Sequence, residues 1–68
     1  VIKKGVISNI SGNNAEAILP DENYTVTAML PFANSIKAED VAIGNKCAIA
    51  FFEADHVNFA DGVIIAIF

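Results

Sequence analysis

The sequence has no arginine, one cysteine, one histidine and no apolar run near the length of a membrane helix. Each absence closes a class of function. Without arginine, the positive charge is confined to Lys3, Lys4, Lys37 and Lys46, and the net charge is −4. Proteins that track a nucleic-acid backbone draw most of their affinity from neutralising phosphates along a positive groove. A short lysine pair in an acidic chain is a poor basis for that, so nucleic acid is disfavoured as a direct partner. Cys47, being single, excludes an internal disulfide and suits a reducing compartment. With His56 it does not make up a closed Cys/His zinc site, which takes four ligands. A membrane helix takes ~20 apolar residues, so no membrane span is expected. The opening residues show no secretory leader pattern. Internal repeats, linkers and low-complexity tracts are lacking too, as is any catalytic motif. The expectation is a non-enzymatic chain with no cofactor and no metal.

What remains is a short, apolar polypeptide, read as one domain over residues 1–68. A domain of ~60 residues buries only ~60% of the surface its unfolded chain exposes. Small chains usually add disulfides, a metal or oligomerisation. With the first two removed, a well-filled barrel or self-association must supply the stability. A composition 54% hydrophobic and only 18% charged leans towards association.

Along the chain, residues 2–10 read as a strand interrupted by Gly5, where a bulge or sharp bend is expected. Ser11-Gly12-Asn13-Asn14 is turn chemistry. Residues 15–19 return as a second strand with Ala15, Ala17 and Leu19 on one face. After Pro20 and a turn at 21–23, residues 24–30 alternate. Tyr24, Val26, Ala28 and Leu30 form one face; Thr25, Thr27 and Met29 form the other, with the threonines suited to solvent. Pro31 stops that strand. Asn34 or Ser35 is placed to cap one helical turn over residues 36–40. Gly44-Asn45 turns the chain into a fourth strand, CAIAFF, at residues 47–52. A polar loop ending Asp61-Gly62 leads to the last strand, VIIAIF.

These last two strands are apolar on both faces, so both faces call for cover. Adjacent Phe51 and Phe52 point to opposite sides of a regular strand. With Ile49/Phe51 and Ile65/Ile67 turned inward, the outward set is Phe52, Ile64, Ala66 and Phe68; the reversed facing is the alternative, because alternation does not fix strand register. That set is the expected oligomer interface. The alternative is that residues 32–43 fold over the outer face. VIIAIF is uncharged and free of proline, the pattern of an edge that native chains pair or cover.

Other residues invite a functional reading and a plainer one. His56 is a candidate acid/base or pH-sensitive group, or a solvated loop histidine. Glu53, Asp55, Asn58 and Asp61 offer oxygen ligands for calcium, but Val57 and Phe59 fall where an EF-hand loop places ligands. An acidic surface loop is the better reading. Cys47, inside a strand, reads as buried packing rather than a reactive thiol.

Five short strands, with three contiguous and an irregular crossover before the fourth, describe an all-β, five-stranded antiparallel Greek-key barrel. Its type is the partly open oligonucleotide/oligosaccharide-binding (OB) fold. An SH3-like barrel is the competing arrangement. Three stretches carry a family resemblance: GVISNISGNNAEAILPDENYTVTAMLP at residues 5–31, Ile43-Gly44-Asn45-Lys46 running into CAIAFF, and the loop ending Asp61-Gly62 before VIIAIF. Together they resemble the small barrel domain of the phage baseplate assembly protein V and tail-spike hub family. The resemblance implies a non-enzymatic homo-oligomer that contacts other tail or baseplate proteins. It would be cytoplasmic during assembly and then part of a phage or phage-like tail. Family members usually continue into a β-helical spike, which this sequence does not contain, so no membrane-piercing role is carried over. A second resemblance, to the S1-type RNA-binding barrel, rests on Gly5-Val6 and the Ile-Gly-Asn-Lys turn. It implies base stacking on strand aromatics, for which the second and third strands offer only Tyr24.

Overall fold

The computed structural model describes residues 1–52 and 59–68. Over these the chain is all-β, with six short strands in one mostly antiparallel sheet and no α-helix. The strands are β1 (Ile2–Ser11), β2 (Asn14–Leu19), β3 (Thr25–Val26), β4 (Leu30–Pro31), β5 (Lys46–Phe51) and β6 (Gly62–Ile67). They lie in the order β3-β2-β1-β5-β6, with β4 also on β2.

β1 bonds different neighbours along its length. Residues 2–6 pair with β5, and residues 6–11 pair with β2. At the changeover the backbones crowd. A Cβ on Gly5 would lie 3.1 Å from the Ile18 carbonyl oxygen and 3.2 Å from Ala17 Cβ. That close approach, rather than a bulge, accounts for the glycine. The register irregularity expected at Gly5 lies instead between Ile7 and Asn9.

The third segment departs from the expected strand over residues 24–30. Asn23 and Tyr24 both take left-handed backbone angles, φ 59° and 58°, as the chain leaves the 3-10 turn Pro20–Glu22. Only Thr25–Val26 and Leu30–Pro31 then pair with β2, and Pro31 ends the second piece. The face assignment is also corrected. Leu30 is buried, but Tyr24 and Val26 are exposed, and Thr27 is turned inward. Its backbone N–H donates to Ala17 O at 2.8 Å, while its Oγ1 accepts from Ala17 N–H at 3.1 Å and donates to Ala28 O at 2.8 Å. A hydroxyl with both roles filled is tolerated in a core.

The crossover packs Phe32, Ile36 and Val41 against the core. Its one turn of 3-10 helix, Ala38–Asp40, has Lys37 at the N-cap and no side-chain cap, so the expected Asn34 or Ser35 cap does not form. The turn into β5 is held on β1. Gly44 N–H donates to Ile7 O at 2.8 Å, and Ile7 N–H donates to Asn45 O at 2.9 Å.

β5 and β6 form an antiparallel pair in which Ala48 opposes Ala66 and Ile49 opposes Ile64. Ile65 is left over as a bulge. The core gathers Ile7, Leu19, Leu30, Cys47, Ile49 and Ile64, with Phe51 and Phe59 edge to face at 5.2 Å. The ladder does not close on itself. Its ends meet where Ala28 N–H donates to Phe59 O at 3.3 Å and Ala33 N–H to Ile64 O at 2.8 Å, beside an isolated parallel bridge between Phe32 and Ile64.

Candidate interaction surface

Strand alternation and register together decide which residues share the outer face of β1-β5-β6. Cross-strand partners stand on the same side of a sheet. Cys47, Ile49 and Phe51 are buried, so Lys46, Ala48 and Ala50 face outward. Their partners on β1 are Val6, Lys4 and Ile2. On β6, Val63 opposes Ala50 and Ala66 opposes Ala48, while Phe68 N–H donates to Lys46 O at 2.9 Å. The face is therefore an alanine floor with Ile2, Val6, Val63 and Phe68 around it, and Lys4 and Lys46 as its charges. Phe52, one residue past β5, continues the outward alternation and is 66% exposed.

The four expected interface residues separate on this geometry. Phe52 and Phe68 stand out at 66% and 63% exposure, and Ala66 is half-buried. Ile64 is the correction: it is 0% exposed, packed in the chain's own core. The bulge at Ile65 changes the parity of β6 midway, so Ile64 and Ile67 both turn towards the core while Ile65 is 39% exposed. VIIAIF is apolar at every position and carries no sign of such a shift. Gly62 is the nearest hint, because it sits opposite the bulky Phe51. A Cβ there would lie 2.7 Å from Ala50 O and 2.9 Å from Phe51 Cδ1.

Sequence reasoning missed Ile2, Lys4 and Lys46 as members of this face. They join it only because β5 lies beside β1, a pairing between segments about forty residues apart that local periodicity does not encode.

Glu53, Asp55, His56 and Asn58 lie outside the described residues; Asp61 is exposed, and Phe59 is buried. Among the described residues, no group of three or more His, Cys, Asp or Glu side chains could hold a metal. No helix among them is long and apolar enough to cross a membrane. Cys47 is buried, and burial pushes its thiol pKa up, with a Gly5 backbone hydrogen bond acting the other way. A reactive cysteine needs the opposite setting. On the far side of the sheet from solvent, then, Cys47 acts as packing.

One open groove of about 300 Å³ runs along the same outer face, between the sheet and the 3-10 turn Pro20–Glu22. Lys4, Lys46 and Phe68 form one wall, Pro20 and Asp21 the other. The turn is tied to β1 by the ion pair from Lys3 Nζ to Glu22 Oε2 at 2.7 Å. No family model, no curated protein and no solved structure matches this chain.

Proposed function

We propose that this chain is a structural, self-associating module that works by burying the outer face of β1-β5-β6 against further copies or larger partners, without catalysis. One observation carries the reading. Phe52 and Phe68 stand largely exposed at the margins of a face whose other members are alanines, Ile2, Val6, Val63 and two lysines. Exposed aromatic anchors around small residues suit close packing of a second surface, and such anchors carry much of the energy of an interface. The crossover does not supply the cover, since Phe52 and Phe68 stay exposed while Phe32, Ile36 and Val41 pack on the core.

The finer architecture proposed is a partly open OB-type Greek-key barrel. Its support is the return of β5 beside β1 and the parallel bridge from Phe32, just past β4, to Ile64 of β6. The proposed setting, a phage or phage-like tail or baseplate with other tail proteins as neighbours, is supported by the sequence resemblance.

Sedimentation tests the association. The wild-type chain is expected to assemble at high micromolar concentration. A Phe52→Asp variant should weaken assembly at least about tenfold, as loss of an aromatic anchor does, with its far-UV circular dichroism unchanged. A wild-type chain that stays monomeric overturns the reading.

A further inference from the structure

Lys4 and Lys46 stand on one face of adjacent strands, and neither makes an ion pair among the described residues. They share the groove with the exposed ring of Phe68 and with Pro20, and Asp21 is its one acidic lining residue. Such a groove offers two ammonium groups and an apolar wall. It asks for an occupant with two carboxylates and an apolar side chain close together.

The chain carries one such segment on its own surface. In the crossover, the 3-10 turn places Glu39 and Asp40 in its first turn, both exposed and neither in an ion pair among the described residues. Three residues on, Ile43 is 67% exposed and takes no part in the core. The tight turn of Asn45, whose Oδ1 accepts from Ala42 N–H at 2.8 Å, holds this stretch in place beside β1.

We propose that the exposed side chains of the crossover of a second copy seat in the groove, Glu39 and Asp40 towards Lys4 and Lys46 and Ile43 towards Phe68, while Val41 stays on its own core. The inference rests on the self-association reading and gives it a direction. The groove and the crossover are different patches, so the contact is heterologous, and repeated copies form a ring if the rotation closes or a filament if it does not. Opposite charge across the contact sets register and speeds encounter, and like charge rejects wrong pairings. A nucleic acid is the less fitting occupant, because Asp21 lines the groove and the chain is acidic overall.

Charge reversal decides it. Lys4→Glu with Lys46→Glu, and separately Glu39→Lys with Asp40→Lys, should each weaken assembly at least about tenfold in sedimentation, since attraction becomes repulsion at both contacts. The quadruple variant, with charges exchanged, should recover it. In the wild type, raising salt to about 1 M, where the Debye length falls to ~3 Å, should lower the assembled fraction. That reading needs no folded variant. Unchanged assembly in both double variants and at high salt, in a chain that Phe52→Asp still dissociates, overturns the groove contact and leaves self-association standing. A monomeric wild type overturns both. Salt-sensitive retention of a single-stranded oligonucleotide, lost with Lys4→Glu and Lys46→Glu, assigns the groove to nucleic acid and overturns the proposal.

Discussion

Thr27 is the one polar side chain buried in the core among the described residues. Its hydroxyl takes the Ala17 N–H that a regular ladder would pair with a backbone carbonyl. Valine has nearly the same shape and no acceptor. Thr27→Val should therefore leave the Ala17 N–H buried and unpaired, at a cost of about 1–3 kcal/mol. Urea denaturation should show the midpoint falling with an unchanged slope; an unshifted midpoint would mean the bond contributes nothing. Gly62 works by size instead. Its inward position against the Phe51 ring and the Ala50 carbonyl leaves no room for a methyl group. The sequence marks Gly62 as a turn residue, but its main role is to let a phenylalanine fill the space across the strand pair.

At the scale of the element, β6 is divided by its bulge. Ile64 and Ile65 are identical in chemistry and adjacent in sequence, yet one is in the core and the other at the surface. Ile64→Asp should cost more than about 4 kcal/mol, because it buries an unpaired carboxylate. Ile65→Asp should cost under about 1 kcal/mol, as surface changes do. Thermal unfolding of the two variants measures the difference, and equal losses would refute the register. The neighbouring strands were easier to read. Alternation groups Ala15, Ala17 and Leu19 on one face of β2, and Cys47, Ile49 and Phe51 on one face of β5, and in the structure these are the buried faces. For the third segment, alternation predicts one continuous strand over residues 24–30; it forms only the short pieces Thr25–Val26 and Leu30–Pro31, and its facing differs too. Left-handed angles at Asn23 and Tyr24 and the side-chain bond of Thr27 depend on contacts with β2, which no local alternation contains.

For the molecule as a whole, size and surface are linked. A standard protein interface removes about 800 Å² from each partner, roughly a fifth of this chain's 4096 Å². Burial on that scale matters greatly to a domain near the margin of independent stability. Association that favours the folded form makes stability depend on concentration. The melting temperature should accordingly rise by several degrees between about 5 and 500 µM chain. A melting temperature independent of concentration would contradict assembly of the folded chain. The single buried cysteine adds no covalent alternative, since Cys47 is enclosed by the core of its own sheet.

By itself the sequence determined an all-β chain, the places of its turns, which residues of β2 and β5 share a face, and an excess of apolar side chains. These are local properties, written in alternation, turn residues and composition. Only the tertiary structure decided that β5 lies beside β1, that Ile64 belongs to the core, and that Lys4, Lys46 and Phe68 share a groove. Each depends on which backbone groups find each other across distant segments. A one-residue slip in that pairing exchanges inside for outside without changing a letter of the sequence.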